Sequence, residues 1–326
     1  MPGAQSKMSP ICYLDRESVF TMTNPFFSVV IPVRDRPAEL AGCLQALCGL
    51  DPPDGRFEVI VVDDGSAAAV APVVAPFADT LVVTLLHQEH RGPAAARNRG
   101  ARAARGTYLA FLDSDCLPTP GWLAALQVAL ADRSQDALVG GRTVDGFPEN
   151  RYSAASHQIL DAVDAFYNPS SDSARFFPSN NFAAPTRLFL SEGGFREDFV
   201  TSEDRELCYR WLDRGHTMVA APEAVVRHCH AINLNTFLRR HFGYGRGAYR
   251  FHRLRADCEQ HGLRLAPSGF YLALFRHPLA RGLGLRALDM EALVALSQLA
   301  SAAGFVWQAL ASENFSAPGR ATLGTP

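Results

Sequence analysis

Three acidic segments stand at positions where carboxylates could do chemistry. They are Asp63-Asp64, Asp113-Ser114-Asp115 and Glu203-Asp204. The first two directly follow short apolar, β-branched runs, and the third opens a segment with helical spacing. Carboxylates bind hydroxyl groups, coordinate hard divalent cations and act as general bases. The ordinary alternatives are a capped turn, an exposed acidic turn and acids favoured by a helix dipole, respectively.

Each segment suits a different task. Asp63 and Asp64 could accept hydrogen bonds from a nucleobase or a ribose. Asp113 and Asp115 lie two residues apart, and on extended chain their side chains would point the same way. Two carboxylates placed in this way could grip a divalent cation and the diphosphate that it bridges. Asp204 could act as the general base for an acceptor hydroxyl.

Two further segments carry groups that bind anions or metals. Small residues in the segment 92–100 favour a helix that approaches its neighbours closely, and Arg97 near its start could face a phosphate. The alternative is an alanine-rich packing helix. His228-Cys229-His230 raises the possibility of zinc, but no second Cys/His pair at ligand spacing lies nearby. A single histidine that joins an oxygen-rich Mn²⁺ or Mg²⁺ site is favoured over zinc.

The segments between these residues predict the elements that position them. Strands are expected at 26–31, 57–62, 80–86 and 107–112, with helices at 37–48, 93–105, 122–130 and 203–214. Pro32 is expected to end the first strand. Continuously apolar strands that alternate with helices predict the α/β class, with a mainly parallel sheet covered by helices on both faces. Ligands bind beyond the carboxyl ends of such strands, where both Asp segments fall.

An ordered set of motifs over about residues 26–230 is similar to the family 2 glycosyltransferases, which have the GT-A nucleotide-binding fold. The motifs are FSVVIPVRDR, FEVIVVDDGS, GPAAARNRGA, GTYLAFLDSDC and the stretch from NNFAAPTRLF through TSEDRELCYRW to VVRHCH. The resemblance implies a metal-dependent enzyme that moves a sugar from a nucleotide-sugar donor to an acceptor hydroxyl with inversion. The implied acceptor is a glycan, a glycolipid or a lipid-linked intermediate, as in cell-envelope polysaccharide biosynthesis.

The resemblance also implies roles for single residues. The implied donor-binding residues are Pro32, Asp35, Asp63, Asp64, Arg97, Asp113 and Ser114. Asp115 of the D-x-D motif and His228 would bind Mn²⁺ or Mg²⁺, and Asp204 would be the catalytic base. The family often has Asn where this chain has Asp35, so the role of that position is open. The stretch NTFLRRHFGYGRG lacks the Q-x-x-R-W motif of processive members, which favours a single transfer.

Other functions fit less well. A nucleotidyltransferase usually has a glycine-rich basic loop after the first strand, where this chain has Pro32-Val33-Arg34-Asp35. A dinucleotide oxidoreductase needs a G-x-G-x-x-G motif there, and that motif is missing. A nucleotidyltransferase of related fold and a catalytically inactive nucleotide-sugar-binding protein therefore remain as alternatives. No feature predicts a nucleic-acid partner.

Composition predicts how the chain is divided. Apolar residues make up 48% of it, enough for a full core, and seven scattered cysteines favour a reducing, cytoplasmic compartment. We expect a flexible leader without signal-peptide character over 1–25, a catalytic domain over 26–232 and a helical extension over 233–326. Eleven Arg against two acids between Arg227 and Arg286 suggest an anionic partner. The polar stretch 150–178 is expected to be a mobile loop over the site.

The uncharged segment Ala292–Ser312 is long enough to span a membrane but has a polar and an apolar side. At 100° per residue its large apolar residues fall mostly in one arc, and Ser297, Gln298, Ser301 and Gln308 fall opposite. This pattern predicts a helix that lies on a surface, either the catalytic domain or the lipid interface, rather than a span. We therefore expect the protein to make peripheral contact with the inner face of the cytoplasmic membrane.

Overall fold

A computed structural model of the chain describes residues 25–51, 57–131, 136–259, 269–271, 274–275 and 285–315. The described residues form two compact units. Unit 1 comprises those up to Pro148 and from Asp164 to His230, and unit 2 comprises Glu149–Val163 and those from Ala231 onward. The predicted leader lies outside the described residues except for its last residue, Pro25. The predicted domain boundaries stay predictions.

The described residues contain one eight-stranded sheet. Its strands are β1 Phe27–Val33, β2 Phe57–Asp64, β3 Val83–Gln88, β4 Tyr108–Leu112, β5 Cys116–Pro118, β6 Leu138–Asp145, β7 Asn181–Pro185 and β8 Met218–His228. The helices are α1 Pro37–Cys48, α2 Ala71–Val74, α3 Pro93–Ala103, α4 Trp122–Ala131, α5 Arg151–Tyr167, α6 Thr186–Ser191, α7 Glu203–Asp213, α8 Leu234–Glu259 and α9 Leu285–Phe315, with 3₁₀ turns at Ala75–Phe77 and Ser171–Ser173.

The strand order is β3-β2-β1-β4-β7-β6-β8-β5. The first four strands in this order are mutually parallel, and they are the four that the sequence pattern predicts. β7 runs antiparallel to β4 and β6, β6 is parallel to β8, and β5 is antiparallel to β8. The α/β class with helical C-terminal elements is confirmed, and the sheet is mixed in its second half.

Both faces of the parallel half are covered. Val29 and Ile31 of β1 belong to one apolar cluster with α1 and α4 residues, and Val30 between them belongs to a second cluster with α6 and α7 residues. A strand buried on both faces carries apolar residues continuously, which explains the unbroken runs in the sequence. The polar residues that follow these strands are therefore confined to the edge of the sheet.

Pro32 does not end the first strand, contrary to expectation. β1 continues to Val33, and Pro32 pairs in register with Val62 of β2. The pairing of β1 with β4 ends at Val30 and Phe111. Pro32 thus lies where β1 has a partner on one side only, and there a missing backbone N–H is tolerated.

The expectation of an irregular loop over 150–178 is wrong for most of that stretch, which forms α5. The Asn150 side-chain oxygen accepts hydrogen bonds from the backbone N–H groups of Tyr152 and Ser153, at 3.1 and 3.0 Å, and so caps the helix. The buried positions of α5 are Ser153, Ala155, Gln158 and Ala162. Half of these are polar, so the stretch looks polar in the sequence although it is helical.

Candidate active site

The carboxyl ends of three adjacent parallel strands bring acidic residues to one edge of the sheet in unit 1. β1 lies between β2 and β4, so Asp35 follows the middle strand, Asp64 is the last residue of β2, and Asp113 follows β4. Asp35 has a positive φ of 52° and is exposed. Its Oδ1 accepts a hydrogen bond from the Ala67 backbone at 2.8 Å, and its N–H donates to Ser66 Oγ at 3.0 Å. These bonds join the loops after β1 and β2.

Asp64 is buried, and protein groups surround its carboxylate. Oδ1 accepts hydrogen bonds from the Gln88 side chain and the Arg91 backbone, both at 2.8 Å. Oδ2 lies 2.8 Å from His90 Nδ1 and accepts from the Gly92 backbone at 2.9 Å. Burial favours the neutral acid, but these hydrogen bonds outweigh it and lower the pKa of Asp64. Asp64 therefore fixes the segment that leads into α3.

Asp63 makes fewer contacts, with the loop after β2 and with β3. Its Oδ1 accepts a hydrogen bond from the Ser66 backbone, and its Oδ2 lies against His87 Nδ1, both at 2.9 Å. Asp63 is buried and His87 is largely exposed. The contact of Asp63 and Asp64 with a base and a ribose stays a prediction, and within the protein both residues hold the loop.

The side chains of Asp113 and Asp115 do not point in the same direction, contrary to the prediction made for extended chain. β4 ends at Leu112, and the Cys116 N–H donates to the Asp113 carbonyl at 3.0 Å, so this stretch is a turn. Asp113 Oδ1 lies 2.6 Å from Arg97 Nη2, whereas Asp115 Oδ2 lies 2.5 Å from Arg36 Nη1. The two carboxylates therefore have separate partners on either side of the buried Ser114.

Asp115, His228 and His230 form a group that could hold a metal ion, because one ligand atom from each lies within 4.8 Å of the others. The pairing of β5 with β8 sets Cys116 opposite His228. The Cys229 N–H donates to the Asp115 carbonyl at 2.7 Å, which places the histidines on either side of it beside the carboxylate. The alternation of two histidines in the sequence is the signal for His230, which the sequence-based metal set did not include.

The electrostatics of Asp115 suit a metal ligand. Burial opposes its ionisation, but the hydrogen bond and charge of His228, 3.4 Å from Oδ1, and then the charges of Arg36 and His230 lower the pKa of Asp115 well below its usual range. A carboxylate must be deprotonated to bind a cation. Arg36 was not among the predicted site residues, and its guanidinium neutralises the other oxygen of Asp115.

Arg97 connects the turn after β4 to the start of α7. Its buried guanidinium lies 2.6 Å from Asp113 Oδ1 and 3.0 Å from Glu203 Oε1, and it stacks 5.6 Å from the ring centroid of Phe195. The positive charge of Arg97 is thus directed at two carboxylates. Its proposed contact with a phosphate stays a prediction.

Glu203 and Asp204 begin α7 behind Ser202, which has a left-handed φ of 69°. Burial, and then the charge of Asp204, raise the pKa of Glu203 to about 7, although Arg97 opposes this. Burial of the carboxyl group also raises the pKa of Asp204, against the hydrogen bond that its Oδ1 accepts from the Arg205 backbone at 2.7 Å. A raised pKa makes a carboxylate a better proton acceptor near neutral pH.

The arrangement is similar to known proteins in sequence and fold. The model of the family "Glycosyl transferase family 2" matches residues 28–195. The pre-mycofactocin glycosyltransferase of Mycobacterium tuberculosis is 36% identical over 227 residues, 68% of this chain and 46% of that protein. The glycosyltransferase AglE of Haloferax volcanii is 30% identical over 237 residues, 70% of this chain and 74% of that protein. The chain spans about half the length of the mycobacterial relative.

A solved structure supports the fold assignment. The mannosyltransferase PcManGT of Pyrobaculum calidifontis, solved with GDP-Man and Mn²⁺, has a TM-score of 0.57 and 20% sequence identity. The match covers 90% of this chain and 81% of that one. The likeness at this identity concerns the fold, and the sequence matches concern the family. The chain therefore belongs to glycosyl transferase family 2 and has the GT-A fold.

Proposed function

We propose that this enzyme is metal-dependent and transfers one sugar at a time, with inversion, from a nucleotide-sugar donor to an acceptor hydroxyl. The observation that carries the proposal is the group formed by Asp115, His228 and His230. It lies beside Asp113, and Arg97 links Asp113 to the start of α7, where Asp204 stands. One buried arginine thus connects the turn after β4, which carries one of the proposed metal ligands, to the start of α7, which carries the candidate base.

The donor atoms of this group fit Mn²⁺ better than Mg²⁺. The group offers one ionised carboxylate and two imidazoles. Mg²⁺ prefers an all-oxygen octahedron, whereas transition metals accept imidazole readily. A cation bound there would supply positive charge near the departing diphosphate. Asp115, His228 and His230 would hold it, and the mannosyltransferase of similar fold was solved with Mn²⁺.

The donor nucleotide would occupy the sheet edge between the two acidic strand ends. We assign the nucleoside to the side of Asp63 and Asp64 and the diphosphate to the side of Asp113 and Ser114. Pro32 and Asp35, at the end of the central strand β1, would form the floor between them. This placement follows the rule that ligands bind beyond the carboxyl ends of parallel strands.

Asp204 would act as the general base. Arg97 pairs with both Asp113 and Glu203, so Asp204 is the acid of the α7 start that this arginine does not hydrogen-bond. Asp204 would take the proton from the acceptor hydroxyl while the oxygen attacks the anomeric carbon from the face opposite the leaving group. The bond to the nucleoside diphosphate breaks, and the anomeric configuration inverts.

The reaction class can be tested by measuring nucleoside diphosphate release from a panel of nucleotide sugars, with Mn²⁺ present or removed by chelation. We expect release with at least one donor, dependent on Mn²⁺. Pyrophosphate release from a nucleoside triphosphate and a sugar phosphate would instead identify a nucleotidyltransferase, and donor binding without release would identify an inactive binding protein. Proton NMR of the product gives the anomeric configuration, and a retained configuration would contradict the assignment of Asp204.

The proposed acceptor is a glycan or a lipid-linked intermediate of the cell envelope. The excess of Arg between Arg227 and Arg286 supports an anionic acceptor or an anionic surface nearby. We place the enzyme in the cytoplasm, in peripheral contact with the inner face of the membrane. Product analysis with extracted lipid-linked saccharides and with free oligosaccharides as acceptors would separate these two acceptor classes.

A further inference from the structure

Helix α9 of unit 2 exposes its apolar side. Among its residues from Leu288 to Ser312, every exposed position is apolar. The exposed residues are Leu288, Ala292, Leu299, Ala302, Ala303, Val306, Trp307 and Leu310. The exposed fractions of the five large side chains run from 49% for Trp307 to 67% for Leu299. At 100° per residue these eight positions occupy an arc of about 140°.

The polar residues of α9 face the interior of unit 2. Ser297 is fully buried and Gln308 nearly so. Ser301 Oγ donates to the His241 carbonyl of α8 at 3.1 Å, and Gln308 Oε1 accepts from Arg246 Nε at 3.1 Å. A helix packed on a protein and facing water has the opposite arrangement, with its apolar stripe inside.

The contact between α8 and α9 is also close at the backbone. A Cβ on Gly245 would lie 1.8 Å from the Ser301 carbonyl oxygen, and a Cβ on Gly304 would lie 2.0 Å from the Phe242 carbonyl oxygen. Only glycine fits at either position. The close backbone contact and the polar bonds across it hold the polar side of α9 against α8, so the apolar side is left facing outward.

We infer that the exposed arc of α9 is a lipid-binding surface that lies in the plane of an anionic membrane, with its leucines among the acyl chains. The charge of the helix that packs on α9 fits this partner, because α8 carries six Arg against two acids. The Arg246 guanidinium lies 4.5 Å from the ring centroid of Trp307, at the border of the arc. Trp and Arg are the side chains that favour the boundary between lipid and water.

The helix lies in the interface rather than crossing it. Leu288–Ser312 passes a test for spanning helices, with 25 residues and a mean hydropathy of 1.4. A span would have to bring α8 into the bilayer with it, because α8 packs on the side with Ser297 and Gln308, and α8 carries six Arg. One apolar arc and one protein-facing polar arc match an interfacial helix.

The tryptophans of the chain provide a direct probe of this surface. There are three, and Trp122 and Trp211 are fully buried in unit 1, so Trp307 is the exposed one. We expect its emission to shift to the blue when vesicles of equal parts phosphatidylcholine and phosphatidylglycerol are added. Brominated acyl chains in those vesicles should quench it, and Trp307→Phe should remove both effects. Unchanged emission and no quenching would overturn the inference.

A matched pair of variants tests the face itself. L299Q/V306Q changes two exposed side chains of the arc, and the control V82Q/V128Q changes two equally exposed side chains of unit 1. We expect the vesicle-bound fraction to fall about tenfold or more in the first variant and to stay at the wild-type level in the control. Equal binding by all three proteins would overturn the inference.

Two further results would also overturn it. If the wild-type protein ignores vesicles but is a dimer that L299Q/V306Q dissociates, the arc binds a second copy of the chain. If membrane-bound protein resists both high salt and alkaline carbonate, α9 spans the bilayer instead of lying in the interface. Diphosphate release from the donor should be the same in both double variants, because none of the changed residues lies in the proposed site, so this inference fails or holds independently of the proposed chemistry.

Discussion

The carboxylates after β2 and those after β4 lie at the same edge of one sheet, yet they have different partners. Asp64 is surrounded by four hydrogen-bonding groups from the end of β3 and the segment that leads into α3, two at each oxygen. Asp115 faces Arg36 on one oxygen and His228 on the other, with His230 nearby. The first carboxylate is held by backbone and side-chain donors that fix its position, and the second sits among exchangeable cationic or metal-binding groups.

This difference separates a structural task from a chemical one. Hydrogen bonds from backbone N–H groups cannot be exchanged for a metal without unfolding the loop that supplies them. The half-exposed Arg36 can give up its contact with Asp115 to a cation, and the two imidazoles beside that carboxylate can bind the same ion. The comparison predicts that substitution of Asp115 affects metal-dependent binding and substitution of Asp64 affects stability.

The largest effect is expected for Asp115→Ala. We expect metal-dependent donor binding to fall by more than about 100-fold, since loss of even an indirect partner of a metal ligand costs about 10–100-fold. The fold should persist, because Asp115 contributes its backbone carbonyl, rather than its side chain, to the bond with Cys229. Isothermal titration with donor, with and without Mn²⁺, measures this. Asp79→Ala, at an exposed acid, is the control, and unchanged metal dependence in Asp115→Ala would contradict the site.

The next effect concerns Asp204→Asn. We expect turnover to fall by a factor on the order of 10² or more while donor binding stays near normal, as for the loss of a general base. Steady-state kinetics at saturating acceptor, together with donor titration, separates the two quantities. Asp213→Asn, at the exposed end of the same helix, should behave like the wild type. Wild-type turnover in Asp204→Asn would remove Asp204 from the mechanism.

The sequence predicts part of this site because strand ends are local features. Asp64 and Asp113 follow apolar runs, and parallel strands align such ends whatever the details of packing. The turn at Asp113 and the place of His230 depend instead on the antiparallel pairing of β5 with β8, which joins residues more than 100 positions apart. Three-residue β5 carries no periodic signal, so the turn could not be predicted, and the alternation of His228 and His230 is the one sequence signal for the second histidine. The polar side of α9 can be recognised as buried only once the position of α8 is known.

A smaller effect is expected for His230→Ala. We expect the Mn²⁺ concentration for half-maximal activity to rise about tenfold, with a relative shift in favour of Mg²⁺, because the remaining donors are richer in oxygen. Metal titration of diphosphate release measures both. His87→Ala, which removes a largely exposed imidazole from the Asp63 side, is the matched control. If both histidine variants require the same metal concentration, His230 is not a ligand.

The smallest effect on catalysis is expected for Asp64→Asn, which tests the structural role assigned to Asp64 in the comparison with Asp115. The amide would turn an NH₂ group toward donors such as the Gly92 N–H, so the free energy of unfolding should fall by about 1–3 kcal/mol. The loss should be larger than in Asp63→Asn, because that substitution affects two contacts instead of four. The pKa of Asp64 is lowered by folding, so its carboxylate contributes stability above the ordinary aspartate pKa of 3.8 and loses it as pH falls through the folded value. Urea unfolding at neutral and acid pH should therefore show a difference between wild type and Asp64→Asn that shrinks on acidification. A difference that is independent of pH would contradict the stabilising role of the ionised carboxylate. An Asp64→Asn protein as stable as the wild type but unable to bind donor would assign Asp64 to the nucleotide rather than to the loop.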